Sequence, residues 1–109
     1  MSAKLPPPLS DYFAATNAHD VAAMSAVFTD DATVEDEGRR HHGLAAVRAW
    51  MTETIENYDY TISPGEAAPM GRNKTAVLVS VRGRFPGSPI ILQYQFTVEG
   101  RKIARLEVG

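Results

Sequence analysis

From Lys74 to Val108 apolar and polar residues alternate with a period of two, a pattern the first half of the chain shows only over the short run 32–36. Val77, Val79, Val81 and Phe85 fall on one side of a strand predicted over 74–85, and Ser80, Arg82 and Arg84 on the other. Pro86-Gly87-Ser88-Pro89 reads as a hairpin connection. Beyond it Ile90, Leu92, Tyr94, Phe96 and Val98 share one face, opposite Gln93, Gln95 and Thr97. Glu99-Gly100-Arg101 turns the chain into a last strand over 102–108. Upstream, Tyr58 to Ile62 also alternates, Pro64-Gly65 marks a bulge or loop, and Met70 to Asn73 a turn. Long strands joined by short turns make an antiparallel meander, whose apolar face must be covered.

The cover comes from the N-terminal half. Pro6 to Pro8 form a stiff lead-in, with Pro8 in the first turn of a helix, and Leu9, Tyr12 and Phe13 follow at helical spacing. Asp20 is a good N-cap for a second short helix with Val21, Met24, Val27 and Phe28 as its buried stripe. Asp30-Asp31 ends that helix, and a short strand over 32–36 leads to a turn at Glu37-Gly38. Gly43 opens a third helix over 44–57, with Leu44, Val47, Trp50, Met51 and Ile55 on one face. Helices first and strands after give an α+β fold: three N-terminal helices packed on a strongly curved antiparallel sheet, with a conical space between the layers. The 109 residues suffice for a single domain, 1–109. The sheet's other face mixes apolar and polar types (Ile91, Gln93, Gln95, Thr97), and a two-fold homodimer through it is expected.

Composition narrows the function classes. Net charge is −2 with lysines and arginines scattered, so no basic stripe tracks a nucleic acid backbone. The chain has no cysteine, which removes disulfides, thiolate metal sites and cysteine nucleophiles. Neither an apolar signal segment nor a run of membrane-spanning length is visible, so a cytoplasmic protein is expected. No nucleotide loop or metal cluster implies a cofactor or a metal.

One feature points to chemistry. In the strand over 32–36, Ala32, Val34 and Asp36 lie on one face and Thr33 and Glu35 on the other. A carboxylate that continues an apolar face is costly to bury. Asp36 is therefore either a general base whose pKa is raised by apolar walls, or part of a solvated turn with Glu37, paired with Arg39 or Arg40. Arg39-Arg40-His41-His42 follows at once. Adjacent histidines on a strand face opposite sides and do not easily share a metal. His19, between the first two helices, reads as a surface residue. Trp50, Phe28, Met51, Tyr94 and Phe96 are core residues by pattern.

The run Phe28 to Asp36, the segment Gly43-Leu44-Ala45-Ala46-Val47-Arg48-Ala49-Trp50 and the closing meander resemble the SnoaL-like and ketosteroid-isomerase-like branch of the NTF2-like superfamily, over nearly the whole chain. The resemblance implies an NTF2-like cone enclosing a pocket whose walls are shared with the core. Phe28, Trp50, Met51, Tyr94 and Phe96 then become candidate ligand walls. In ketosteroid isomerases a segment very similar to Asp31-Ala32-Thr33-Val34-Glu35-Asp36 ends in the general-base aspartate, and the oxyanion-hole tyrosine lies a fixed interval upstream. That implies Asp36 as base and Tyr12 as donor. His42 becomes a candidate partner of Asp36, as in the dehydratases of the superfamily. The stretch Leu92 to Thr97 contains no acid where those isomerases carry a third catalytic group. The expected function is a small enzyme needing no cofactor, of isomerase, cyclase or dehydratase type, moving a proton on a hydrophobic, carbonyl-bearing small molecule. The alternative is a non-catalytic module that binds a small ligand or only dimerises.

Overall fold

A computed structural model describes residues 5–109. In chain order the elements are α1 (Pro7–Asn17), α2 (Val21–Ala26), β1 (Phe28–Asp36), β2 (Arg39–His42), α3 (Leu44–Tyr58), β3 (Thr61–Pro69), β4 (Lys74–Arg82), β5 (Ile90–Glu99) and β6 (Lys102–Val108). The three helices pack on a six-stranded sheet of order β2-β1-β6-β5-β4-β3. Strands β3 to β6 form the antiparallel meander that the alternation predicts. The bulge falls between Pro64 and Ala67, beside the expected Pro64-Gly65 break.

Three departures from the sequence reading have local causes. First, α2 stops at Ala26 and Phe28 begins a strand, although Val27 and Phe28 continue the helical stripe. The Val27 carbonyl accepts the Ile103 N–H at 2.7 Å, and Phe28 pairs with Ile103. Pairing with a strand far along the chain overrides local periodicity. Second, β1 joins β6 in parallel, Val34 beside Leu106, so one pair in the sheet is not antiparallel. Third, β4 ends at Arg82 and not at Phe85. At Gly83 the chain passes so close to Tyr58 and Tyr60 that an added Cβ would lie 2.7 Å from the Tyr58 carbonyl oxygen and 2.9 Å from the Tyr60 Cβ. The Arg84 N–H then donates to that same Tyr58 carbonyl, at 2.7 Å. Phe85 leaves the strand and meets Tyr58 edge to face, with ring centroids 6.0 Å apart.

The α1–α2 turn is tied to β3. The Asn17 side-chain amide donates to the Ile62 carbonyl at 2.8 Å, and its oxygen accepts the Ile62 N–H at 2.7 Å. His19 is half-buried, not a free surface residue: its Nε2 lies 2.7 Å from the Tyr60 carbonyl oxygen. These bonds fix Tyr60 and Ile62, both buried, relative to α1.

The core is aromatic at its centre. Tyr12 is fully buried and meets Phe13, Phe28 and Phe96 edge to face, at centroid distances of 5.9, 5.7 and 5.7 Å. Such pairs add about 0.5–1.5 kcal/mol each beyond their burial. Met51, Val77, Val79, Ile103 and Leu106 close the space around them. The opposite sheet face is polar along β1, β2 and β6. There Arg105 pairs with Glu35 and Glu107, Arg40 with Glu35, and Lys74 with Glu107. Towards β4 and β5 the same face turns apolar at Leu78 and Ile91, which is 65% exposed. Among the described residues no helix is long and apolar enough to cross a membrane.

Gly83→Ala should cost about 1–3 kcal/mol of stability, the range for forcing extra volume into a filled site. Urea unfolding checks this, and an unchanged midpoint would show that the close approach at Tyr58 relaxes freely.

Candidate functional site

β1 ends at Asp36 and the chain reverses at once. Asp36 pairs with Arg39, and Glu37 and Gly38 between them both have positive φ, 54° and 73°. That is the two-residue type I′ reversal, whose twist suits adjoining strands. Glycine adopts it freely, whereas glutamate does so against its preference. The Glu37 carboxylate is anchored by the Tyr58 hydroxyl, which donates to it at 3.2 Å.

Asp36 continues the inner face set by Ala32 and Val34, so the strand period carries its carboxylate toward the helices. There the Trp50 indole N–H donates to Asp36 Oδ2 at 3.0 Å. Trp50 comes from the α3 face that also buries Val47 and Met51. Burial pushes the Asp36 carboxyl above its ordinary value of 3.8, and the neighbouring Glu37 charge adds to the rise. The Trp50 indole, His41 and the Glu37 backbone N–H pull the other way. Among the described residues neither Asp36 nor Glu37 has a lysine or arginine within 4.0 Å. The turn at Glu37-Gly38 is exposed, as the alternative had it, but its ion pair with Arg39 or Arg40 is not formed: Arg40 turns to Glu35, 3.8 Å away on the opposite face, and Arg39, on the Asp36 side, makes no ion pair among the described residues.

Asp36 and Trp50 form part of the wall of a cavity of about 200 Å³ between α3 and the sheet. Tyr60, Tyr94, Thr54, Leu92, Val81 and Val108 supply more of the wall, and Glu37, Tyr58, Phe85 and Ile90 stand at its more exposed side. Tyr60 and Tyr94 are buried rings, and burial pushes both hydroxyls up, Tyr94 well above its ordinary value of 10.0. Both therefore stay protonated over the ordinary pH range and can donate.

Of the residues singled out from sequence, the structure brings Asp36, Trp50 and Tyr94 to this cavity. Phe28, Met51 and Phe96 are fully buried but do not line it, because they pack around Tyr12 in the solid part of the core. Tyr12 does not line it either. Its hydroxyl is buried without a hydrogen-bond partner, and burial holds its pKa well above 10.0. His42 is a correction. It pairs with Thr33, its Nδ1 lies 2.9 Å from the Thr33 hydroxyl, and both belong to the face opposite Asp36. One residue earlier the strand period puts His41 on the Asp36 side, its ring centroid 6.3 Å from that of Trp50. The lining residues Tyr60, Tyr58, Leu92 and Thr54 were not foreseen. The alternation of Tyr58-Asp59-Tyr60 was visible, but no local signal says that these rings border a space.

The chain matches the SnoaL-like domain family over residues 9–106. It belongs to that family. A candidate polyketide cyclase, SMa1630 from Sinorhizobium meliloti, is 42% identical; the match covers 96% of this chain and 95% of that one, with a TM-score of 0.92. SalBIII, described as an epoxide hydrolase/cyclase-like enzyme in pyran ring formation in the polyether salinomycin, is 26% identical over 94% of this chain and 86% of its own, with a TM-score of 0.82. RV0760c from Mycobacterium tuberculosis, solved in complex with estradiol-17beta-hemisuccinate, shares the fold at 17% identity and a TM-score of 0.80, over 94% of this chain and 89% of its own. Among curated proteins the chain has no match.

In this SnoaL-like domain the Asp36–Trp50 contact makes two linked predictions. Trp50→Phe removes a donor that favours the carboxylate, so the Asp36 pKa should rise further, read by carboxyl NMR titration. Folding raises the Asp36 pKa, so the folded chain holds the proton more tightly than the unfolded one. That contribution to stability is complete below about pH 3.8, the unfolded value, and is lost as pH rises through the folded value. Asp36→Asn should therefore gain stability relative to wild type as pH rises through that window in urea unfolding. Parallel pH profiles for the two proteins would refute the shift.

Proposed function

We propose that this SnoaL-like domain is a small cofactor-independent enzyme that moves a proton on a hydrophobic, carbonyl-bearing small molecule. The observation that carries the reading is Asp36: a half-buried carboxylate without a cationic partner among the described residues, held by one indole N–H at an apolar cavity. A carboxyl raised toward neutral pH is a better base than an exposed one. With a ketone in the cavity, Asp36 takes the proton from the carbon next to the carbonyl. The C–H electron pair becomes the enolate double bond, and charge moves to the oxygen. Tyr94 and Tyr60, whose side chains border the cavity, are the donors proposed for that oxygen. The part expected of Tyr12 passes to them, and Tyr12 serves as a buried support beside Tyr60. Returning the proton from Asp36 to another carbon completes an isomerisation; in a cyclisation the enolate carbon attacks a second carbonyl, whose π pair moves to its oxygen, and that alkoxide takes the proton back from Asp36.

The second reading is a non-catalytic binding module. It is favoured by the stretch Leu92 to Thr97, which offers no acid beside the tyrosines. The two readings separate on solvent exchange. Wild type should catalyse deuterium exchange at the carbon next to the carbonyl of a one-ring ketone such as tetralone. Asp36→Asn should abolish that exchange with the fold intact, and Tyr94→Phe should lower it by about 10²–10³, as for one oxyanion donor. Binding without exchange in the wild type would favour the module.

For assembly we propose a two-fold homodimer through the sheet's outer face, seated on Leu78 and Ile91, 44% and 65% exposed. A small chain gains from covering such a patch. Light scattering at micromolar concentration should give twice the chain mass for wild type and the chain mass for Ile91→Arg.

A further inference from the structure

The charge in the cavity wall itself is one-sided, although Arg39 and His41 stand just outside it. Trp50, Tyr58, Tyr60 and Tyr94 place aromatic rings in its wall, and Asp36 and Glu37 place two carboxylates there, while no lysine, arginine or histidine lines it. The contrast within one hairpin is sharp. Glu35, the neighbour of Asp36, is paired with Arg105 and Arg40 on the other face of the sheet, and Glu107 is paired with Lys74 and Arg105. The ion pairs of Glu35 and Glu107 thus lie on the outer face, while on the Asp36 side Arg39 and His41 stand beside the two carboxylates without forming an ion pair with either among the described residues. A second observation is independent of the carboxylates. The Tyr94 side chain, 4% exposed, lines the cavity, and its hydroxyl has no hydrogen-bonding side chain among the described residues. Its oxygen is free to accept as well as to donate.

We infer that the cavity selects an apolar organic cation, a protonated or quaternary amine carried on a small ring system, and rejects anions. The inference rests on the proposed role of this cavity as the reaction site and adds the charge of its ligand. Aromatic rings attract a cation through the negative potential over their faces, the more so where water is excluded. Asp36, half-buried in the wall, and Glu37, exposed at the mouth, form no ion pair among the described residues; they add to that field and repel a carboxylate or phosphate ligand. A cation seated there would supply the partner that Asp36 and Glu37 lack. Size sets the ring count. An apolar cavity of about 150 Å³ takes a benzene, so one of about 200 Å³ takes one ring and a substituent.

The test uses the intact chain and its single tryptophan, which lines the cavity and reports occupancy by fluorescence. Phenyltrimethylammonium, its neutral isostere tert-butylbenzene and the anion benzenesulfonate are titrated separately. The cation should bind saturably and at least about tenfold more tightly than the sulfonate. The affinity ratio of cation to neutral isostere should fall about tenfold in Glu37→Gln, which keeps the Tyr58 contact and removes only charge. Asp36→Asn should lower the same ratio. Equal affinity for cation and sulfonate, a ratio unchanged in both variants, or no saturable binding of the cation would each overturn the inference. If the ketone exchange is found and the charge preference is not, this inference fails while the catalytic reading stands. The reverse result upholds the cation site and removes the catalysis.

Discussion

Backbone hydrogen bonds between β1 and β6 join the two halves of the chain, and the geometry of the site follows from them. The helical half contributes no strand to the meander by itself. Once Phe28 pairs with Ile103 and Val34 with Leu106, the inner face of β1 is fixed with respect to the whole sheet. The period of two then leaves no freedom about Asp36: with Val34 inside beside Leu106, Asp36 is inside near Val108, which also lines the cavity. A one-residue slip would send Asp36 to the face of Glu35 and Arg105 and bring Glu35 to the cavity. The ion pairs of Glu35 with Arg105 and Arg40 oppose that slip, because they would be lost with it. The polar outer face thereby acts on the site from behind.

That dependence explains what was legible in the residues and what was not. The meander, the helices and the inward face of Asp36 all rest on periodicity within a few residues, and each could be read directly. The start of β1 could not. Val27 and Phe28 fit the helical stripe of α2, and only Ile103, some seventy-five residues later, removes them from it. The parallel partner of β1 was hidden for the same reason, since alternation is identical for parallel and antiparallel neighbours. The end of β4 at Arg82 was hidden differently. Phe85 has the right parity for the inner face, but Gly83 has no side chain and lets the strand be drawn against Tyr58, and that close contact is not written in any spacing.

The site shows the same division. Family resemblance points to Asp36 and Tyr12, and periodicity to Trp50 and Tyr94. Neither says which part of a cone is filled. Here the edge-to-face cluster of Tyr12 with Phe13, Phe28 and Phe96 occupies the centre, so large residues that read as ligand walls are solid core. The open space lies further along the sheet, under Trp50, where the connection before β3 contributes Tyr60 and the loop after β4 contributes Phe85. His42 failed for a simpler reason. Two residues of the Glu37-Gly38 reversal fix the pairing of Asp36 with Arg39, and counting from that pair puts odd-numbered His41 on the cavity side.

The energetic position of Asp36 ties these strands of argument together. Its burial is unfavourable for the charged form, and the chain compensates only in part, with one indole N–H and one backbone N–H. A stability-optimised site would add an arginine, as the outer face does for Glu35, or replace the carboxylate with an apolar residue, which is often the more stable choice for a buried charge. The inner face keeps the carboxylate and, although Arg39 and His41 share that side, closes no ion pair on it among the described residues. The type I′ reversal and the strand period carry Arg40 outward to Glu35, and Arg39, on the Asp36 side, stays beyond 4.0 Å of its carboxylate. A carboxylate kept without an ion pair at an apolar, aromatic wall is costly for the empty fold. The two proposed events, proton transfer from a carbon acid and the seating of a cation, would both relieve that same cost.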